Sequence, residues 1–334
     1  MQEHQALQNT IIHAIEQRDS LALSSDAYRL FNGFYEGCPG LILDRYGSTL
    51  VIFDHTSPGE LNTIIQEITH WVAKSLGDVE SILLKQRQNP SINIKNGKLL
   101  SGQLLTSCIT EYGVKYALDL QMNQDASFYL DTRNLRRWLL DQTQGWRLLN
   151  TFAYTGSLGV AAGMDGANLV VQTDVNKKFL DIAQRSWELN NLPLHSHRIL
   201  PGDFFKITNR MRHQQQLFDC VILDPPYFSV TSAGRVDLEN EMTHLINKIR
   251  PLIAHQGILV VINNALYLTG ADFMEELNAL CQNEYLSFEG ILPVPMDITG
   301  FPNTIVAKPP SNPAPFNHPT KIALIRVFRK DKRF

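Results

Sequence analysis

The sequence predicts an α/β protein of two domains, and three observations support this. The length of 334 residues suits roughly two domains. Hydrophobic residues make up 44% of the chain, which allows both domains to bury a core. Beyond about Met122 strand and helix patterns alternate, as is typical of a mostly parallel sheet covered on both faces. We therefore expect a small N-terminal α+β domain at residues 1–120 and an α/β domain at residues 121–334.

The N-terminal domain is predicted to combine helices with a β-hairpin. Leu7, Ile11 and Ile15 recur at helical spacing near the start of the chain. A second helix is expected at residues 58–76, behind an N-cap at Ser57. The hairpin joins residues 41–43 to residues 49–53, and further strands are expected at 81–85, around 99–106 and at 115–120. None of these elements carries a catalytic signature.

Apolar runs separated by helix patterns define the α/β domain. A helix pattern at residues 178–189 lies between the apolar runs at residues 169–173 and 220–223. The predicted strands are residues 148–152, 169–173, 220–223, 258–262, 288–292 and 321–328.

A long loop with eight prolines, from Pro293 to Pro319, separates the last two predicted strands. Loops of this length in compact domains are usually functional or disordered. One interpretation makes its polar residues substrate contacts, and the other makes it an ordered, proline-stiffened surface loop. For His318 a structural role is favoured. The candidate contacts are Asp297, Asn303, Lys308, Asn317, His318 and Lys321.

The apolar run at residues 218–223 ends on Asp224-Pro225-Pro226-Tyr227. The two prolines lack amide donors, so the Asp224 carboxylate and the Pro225 carbonyl can both face a ligand as acceptors. Tyr227 adds a flat ring for stacking. Such a set suits a planar group with an exocyclic amine, while the alternative is a strand end followed by a proline turn.

Three other strand ends predict a nucleoside cofactor. Residues 148–152 run into a turn containing Gly156, and Asp174 follows 18 residues later, a spacing suited to ribose hydroxyls. Asp203 is a candidate acceptor for an adenine amine, with Phe204 packing against the ring. A single acidic residue at a strand end is more often a helix cap. Acidic residues at several consecutive strand ends favour a bound nucleoside cofactor, and S-adenosylmethionine is the preferred one. NAD is less favoured because no G-x-G-x-x-G is intact.

These motifs resemble a family of bacterial class I methyltransferases that modify 23S ribosomal RNA. The resemblance implies a Rossmann-like sheet of seven strands with the last one antiparallel, and S-adenosylmethionine bound by residues 121–334. It also implies that the proline-rich loop links the last parallel strand to an antiparallel edge strand and lies on the ligand face of the sheet. The segments that carry the resemblance are residues 29–33, 37–47, 128–134, 149–156 and 224–226.

The family resemblance assigns further residues to the cofactor site. Asp131 and Arg133 match a phrase that helps to hold the methionine part of the cofactor, for which a guanidinium and a carboxylate are well suited. The matching turn after the first strand of the α/β domain contributes Asn150, Phe152, Tyr154, Thr155 and Gly156. Asp224, at the fourth strand end, is expected to bind the cofactor as well as the acceptor.

The chain departs from the cytosine-5 members of that family in two respects. They carry an N-terminal PUA RNA-binding domain, and this chain begins about where that domain would end. They also place a nucleophilic cysteine after the fifth strand, where this chain has Asn263 and Asn264. Methylation at cytosine C5 needs transient covalent attack, so we expect nitrogen chemistry instead. The asparagine pair resembles the guanine-N7 branch, whereas Tyr227 resembles enzymes that act on exocyclic amines.

Composition limits the partners. The net charge is −3 and the pI about 6.4, so any contact with RNA must be a local patch. No apolar window approaches the ~20 residues of a membrane span, and we expect a cytoplasmic protein with no membrane contact. Four dispersed cysteines without a C-x-x-C pair predict neither a zinc site nor a disulfide framework.

The sequence thus predicts a methyltransferase for a nucleobase nitrogen, with ribosomal RNA as the expected partner. Asp224, Pro225, Tyr227 and Asn263 are the expected catalytic residues. Two alternatives stay open: an acceptor that is a protein side-chain amide or a small molecule, and a non-catalytic RNA-binding or assembly factor. The target nucleotide and the oligomeric state are not predicted.

Overall fold

The structure is a computed structural model that describes residues 2–231, 234–239, 241–282 and 284–331. The chain folds into two compact units. The first consists of Met1–Leu130 and Pro295–Lys308, and the second of Asp131–Val294 and Pro309–Phe334. The proline-rich loop is therefore divided between the units, while the expected domain boundary at residue 120 stays a prediction.

The first unit contains a five-stranded sheet in the order β1-β2-β3-β4-β5, in which only β3 and β4 are parallel. Strands β6 and β7 form a separate hairpin. The elements are α1 (Gln2–Glu16), β1 (Ala27–Asn32), α2 (Gly33–Glu36), β2 (Leu41–Tyr46), β3 (Thr49–Asp54), α3 (Asn62–Ser75), β4 (Ser81–Gln86), α4 (Ile92–Asn96), β5 (Lys98–Ser101), β6 (Cys108–Glu111) and β7 (Val114–Ala117).

The first helix and the hairpin of β2 and β3 agree with the sequence prediction, but the start of α3 does not. The helix begins at Asn62, so Ser57 is not its N-cap. Gly59 has a φ of +98°, which is incompatible with a right-handed helix, and residues 57–61 form turns instead.

Residues 295–308, which include a short helix at Met296–Thr299, are an integral part of the first unit. Asp297 is 1% exposed, and its Oδ2 accepts a hydrogen bond from the main-chain amide of Arg29 at 3.0 Å. The buried Arg18 guanidinium donates to the Asp297 carbonyl and to both carboxylate oxygens of Glu36. Asp297, a candidate substrate contact, thus serves the core of this unit.

The second unit contains a seven-stranded sheet with helices, as the family resemblance implies, and a separate pair of strands, β12 and β13. The strand order is β10-β9-β8-β11-β14-β16-β15, and β16 runs antiparallel to both of its neighbours. The elements are α5 (Arg133–Gln142), β8 (Arg147–Thr151), α6 (Ser157–Met164), β9 (Leu169–Asp174), α7 (Lys177–Leu189), β10 (His197–Pro201), α8 (Phe204–His213), β11 (Phe218–Leu223), β12 (Phe228–Thr231), β13 (Gly234–Asp237), α9 (Met242–Ile249), β14 (Ile253–Asn263), α10 (Gly270–Leu280), β15 (Leu286–Leu292) and β16 (Lys321–Val327).

The expected edge position of the last strand is wrong. Strand β16 lies between β14 and β15, and β15 forms the edge. Ile322, Ala323 and Ile325 are each fully buried, and an apolar run of this kind suits an internal strand. The other six strands, β8, β9, β10, β11, β14 and β15, run in one direction and have their carboxyl ends on one side of the sheet, where ligands bind in such folds.

Candidate cofactor and acceptor site

The turn after β8 has an unusual backbone. Phe152 and Tyr154 have φ values of +53° and +51°, which non-glycine residues adopt rarely and mostly at functional sites. Gly156 has a φ of +75°, and a Cβ there would collide with the Cβ of Ala183. Close packing against α7 therefore explains this glycine, and its contact with a cofactor stays a prediction.

A buried row of polar side chains crosses the strands beside this turn. The Asn150 Nδ2 donates to Gln172 Oε1 at 3.2 Å, and Gln172 Nε2 lies 3.0 Å from His197 Nε2. Burial lowers the pKa of His197 to about 4, so the imidazole is neutral. The Asn150 Oδ1 is buried without a hydrogen-bond partner in the part of the chain that the structure describes. Thr155 is also buried.

Asp174 ends β9 as a fixed carboxylate. Its Oδ1 accepts from the main-chain amide of Asn176 at 2.9 Å, and its Oδ2 accepts from that of Tyr154 at 3.0 Å. Burial raises the pKa of Asp174, and these amide donors offset part of the effect. Each carboxylate oxygen keeps a further lone pair that can accept from a hydroxyl group.

Asp203, just after β10, is the N-cap of α8, which is the alternative to a contact with adenine. The Asp203 carboxylate accepts from the Lys206 amide at 3.0 Å and caps α8. Phe204 is 5% exposed, and its ring stacks on Phe152 with 4.7 Å between centroids. This pair forms an apolar wall, and contacts of Asp203 and Phe204 with adenine stay predictions.

Asp224 follows β11 directly and is partly buried. Among the described residues none donates a hydrogen bond to its carboxylate. Burial, together with the negative charge of Asp131, raises the pKa of Asp224 to about 7. Asp131 itself accepts from Thr320 Oγ1 at 2.9 Å, and Arg133 is buried at the start of α5. Two neighbouring carboxylates of this kind favour a positively charged or hydrogen-donating ligand.

Exposed apolar side chains lie beyond Asp224. Pro225 is buried, but Tyr227 is 50% exposed, and its hydroxyl donates to Glu239 Oε1 at 2.8 Å. Exposed apolar side chains also occur at Leu266 and Tyr267, three and four residues after the end of β14, and the sequence analysis missed them. We define the aromatic surface as three exposed aromatic residues and the leucine that precedes one of them. They are Tyr227, Phe228, Leu266 and Tyr267, which are 50%, 56%, 42% and 71% exposed.

Asn263 does not face the solvent. Its side chain is fully buried, with Nδ2 donating to the Leu238 carbonyl at 3.2 Å and Oδ1 accepting from the Ala265 amide at 2.9 Å. This burial gives no support to the catalytic role expected for Asn263 from the sequence. Asn264 is exposed.

Residues at the end of the proline-rich loop also have structural partners. Asn317 bonds the main chain of Val294 through both of its amide atoms. His318 Nδ1 accepts from the Thr320 amide, which agrees with the structural role favoured for this histidine. Lys321 is fully buried.

No cysteine lies in the segment after β14. Cys220 is fully buried inside β11, and this burial raises the pKa of its thiol far above the usual range. Cys281 follows α10, and Cys38 and Cys108 belong to the first unit. Within the described ranges, no group of three His, Cys, Asp or Glu residues could hold a metal ion.

The site geometry agrees with the comparison to protein families. A family model described as S-adenosylmethionine-dependent methyltransferase matches residues 43–300. The chain belongs to this family. The methyltransferase class and the cofactor predicted from the strand ends are therefore confirmed. None of the helices in the described ranges is long and apolar enough to cross a membrane.

This methyltransferase has bacterial relatives among curated proteins. It is 33% identical over 232 residues to ribosomal RNA large subunit methyltransferase I of Erwinia tasmaniensis, and 32% identical over 219 residues to the protein of that name from Serratia proteamaculans. These matches cover 65% and 64% of the chain, but 56% and 54% of the relatives. The chain thus spans just over half the length of these relatives.

A solved structure shares the fold. The methyltransferase superposes on the crystal structure of SMU.776 complexed with SAH, with a TM-score of 0.82 and 22% sequence identity. The match covers 96% of this chain and 80% of that chain. At this identity the likeness shows the fold alone.

The residues of the site fit S-adenosylmethionine. The cofactor is cationic at sulfur and at its amino group, and the neighbouring carboxyl groups of Asp131 and Asp224 favour a cation. Asp174 offers acceptors for hydroxyl groups, and the Phe152–Phe204 pair offers an apolar wall. The buried Asn150 Oδ1 still lacks a donor within the described residues.

Proposed function

We propose that this methyltransferase methylates a nucleobase nitrogen in ribosomal RNA. The observation that carries the proposal is the Asp224 carboxylate, which is partly buried, receives no hydrogen bond from the described residues, and stands beside the exposed Tyr227 ring. A buried carboxylate without a donor is costly, and an amine of the acceptor would supply one.

The residues of the chain would act chiefly by alignment. When bound, the cofactor supplies a methyl group on a sulfonium, which already has a good leaving group. Asp131, Arg133 and Asp174 would hold it, together with Asn150, Phe152, Tyr154, Thr155, Gly156, Asp203 and Phe204. Asp224 and the Pro225 carbonyl would accept from the acceptor amine and direct its lone pair, which is the kind of positioning that lowers a displacement barrier.

The exposed ring of Tyr227 supports a flat acceptor. Stacking of a base on an aromatic side chain contributes roughly 1–3 kcal/mol. The hydrogen bond to Glu239 restrains the orientation of the ring and raises the pKa of the Tyr227 hydroxyl. Tyr227 would therefore present a fixed face to an extruded base.

Two observations favour nitrogen in RNA over other acceptors. Chemistry at cytosine C5 needs a thiolate, and the buried, protonated Cys220 cannot serve as one. The curated relatives act on ribosomal RNA according to their names. An enzyme of ribosomal RNA would work in the cytoplasm.

The test is methyl transfer from labelled S-adenosylmethionine to the extract of a strain that lacks the gene, and to RNA purified from that extract. We expect label from the wild type, little from Asp224→Asn, and wild-type label from the control Asp181→Asn, whose exposed carboxylate lies on α7. Label that survives ribonuclease treatment would move the acceptor to a protein or small molecule. No label in any extract, despite cofactor binding, would favour a non-catalytic role.

A further inference from the structure

The segment after β14, residues 264–269, carries half of the aromatic surface and is fixed by buried side chains. Strands β12 and β13 pair antiparallel, and Leu238 directly follows β13. Asn263 connects residues 264–269 to this point, because its Nδ2 donates to the Leu238 carbonyl and its Oδ1 accepts from the Ala265 amide. The Leu238 amide in turn donates to the Tyr227 carbonyl at 3.1 Å. One asparagine thus joins the main chain beside Tyr227 to the main chain beside Tyr267.

A buried lysine holds the same segment from the other side. Lys321 pairs with Asn263 across β14 and β16, and its ammonium donates to the carbonyls of Ala265 at 3.0 Å and Pro319 at 2.6 Å. Burying an ammonium group costs free energy that an apolar residue would not incur. The contacts of Lys321 with these two carbonyls give a reason for its presence in the core.

The second part of the proline-rich loop adds further contacts to this segment. Ser311 Oγ donates to the Leu266 carbonyl at 2.6 Å, and the Gly270 amide donates to the Asn312 carbonyl at 2.9 Å. A Cβ on Gly270 would collide with the Pro313 carbonyl oxygen, so the two backbones touch. Prolines stiffen the chain that makes these contacts.

We infer that Asn263 and Lys321 are positioning residues that fix the aromatic surface for the acceptor base, with residues 309–320 as a stiff support. This inference rests on the proposed function, since it assumes that the surface binds a base. Neither side chain touches the acceptor. Both act through the backbone of residues 264–269, and the cofactor-binding strand ends at β8 and β9 are left unchanged.

The experiment compares Lys321→Met with the wild type in steady-state methylation of RNA. Misplacing a binding surface by about 1 Å can cost up to about 100-fold, and we expect the KM for RNA to rise about tenfold. The affinity for S-adenosylmethionine should stay within about twofold, because the residues of that site keep their contacts. Lys98→Met, at an exposed position of β5, is the matched control.

Ser311→Ala is a milder variant that tests the same support if Lys321→Met does not fold. It removes one hydrogen bond at the surface of the loop, and we expect the KM for RNA to rise about threefold with unchanged kcat. An unchanged KM in both folded variants would overturn the inference, and so would an equal loss of cofactor affinity.

A double-mutant cycle separates positioning from general destabilisation. If Lys321 acts through Tyr267, then Lys321→Met should raise the KM of a Tyr267→Ala enzyme by less than about twofold. Full additivity would overturn the inference. Failure of the proposed function is distinct, because in that case the wild type itself would not label RNA.

Discussion

Asp174 and Asp224 both stand at the carboxyl end of a parallel strand, and burial raises the pKa of each, yet their surroundings differ. Both oxygens of Asp174 accept hydrogen bonds from main-chain amides of its own turn and of the turn after β8. The Asp224 carboxylate receives none from the described residues, and its neighbour is the negatively charged Asp131.

The difference indicates how the two carboxylates are used. The backbone fixes Asp174 before any ligand arrives, as suits a group that holds a cofactor in one orientation. The Asp224 carboxylate gains a hydrogen bond or a neighbouring positive charge only when a ligand binds, as suits a group that acts during transfer. Substitutions at the two positions should therefore change different quantities.

The largest effect is expected at Asp224. Asp224→Asn replaces one acceptor oxygen with a donor, which would repel the acceptor amine, and we expect kcat/KM for methyl transfer to fall about 100-fold. Steady-state kinetics with saturating cofactor measures this. Unchanged kcat/KM would remove Asp224 from the mechanism.

Asp174→Asn should act on cofactor affinity instead. One of its two main-chain amide donors would face an NH2 group, and we expect the Kd of S-adenosylmethionine to rise about tenfold, since a hydrogen bond to a charged group contributes about 1.5–3 kcal/mol. Calorimetry gives the Kd, and kcat at saturating cofactor should stay within about twofold of wild type. A large loss of kcat with normal affinity would contradict the contrast with Asp224.

The pH dependence of stability isolates the burial of Asp224. Its pKa rises from the ordinary 3.8 to about 7, so the folded state binds the proton more tightly and stability falls as pH increases through this window. Asn mimics the protonated acid. At pH 8 we expect cofactor-free Asp224→Asn to be more stable than wild type by about 1–2 kcal/mol, less than the full shift implies because the group is partly exposed.

Thermal unfolding at two pH values checks this prediction. At pH 4 the two proteins should have nearly equal Tm, because Asp224 is then protonated when folded. Other groups that titrate in this range, such as His197, are common to both proteins and cancel in the comparison. A variant less stable than wild type at pH 8 would show that the Asp224 carboxylate has a donor after all.

The smallest effect is expected from Tyr227→Phe. The variant loses the hydrogen bond to Glu239 but keeps the ring, so the KM for RNA should rise only about threefold. Tyr227→Ala loses the stacking face and should raise the KM at least about tenfold, given roughly 1–3 kcal/mol per stacked base. Equal effects of the two variants would mean that the hydroxyl, rather than the ring, binds the acceptor.

Most of the fold follows from local pattern, and the exceptions have physical reasons. Buried strands such as β11 and β14 are nearly continuous apolar runs, and these were predicted. Strand β10 was not, because it is an edge strand in which every residue is at least partly exposed, so it lacks a buried apolar run. The insertion of β16 between β14 and β15 depends on pairing over the length of the proline-rich loop, which local pattern does not encode.

Only part of the site could be predicted, because local pattern does not encode contacts between distant parts of the chain. The position of Asp224 at a strand end could be read from the apolar run that precedes it. The proximity of Asp131 could not, since 224 − 131 = 93 positions separate the two, and the family resemblance assigned Asp131 only to the methionine part of the cofactor. The burial of Asn263 was also missed, because its partners Leu238 and Ala265 reach it only through the folded hairpin and turn.

We expect Asp224 to orient a base nitrogen of ribosomal RNA during methyl transfer. Nucleoside mass spectrometry of ribosomal RNA tests it most directly, using a strain without the gene and the same strain supplied with wild type or Asp224→Asn. We predict one nitrogen-methylated nucleoside that is absent without the gene, restored by wild type and not restored by Asp224→Asn. Gain of 5-methylcytosine, or full restoration by Asp224→Asn, would contradict the claim.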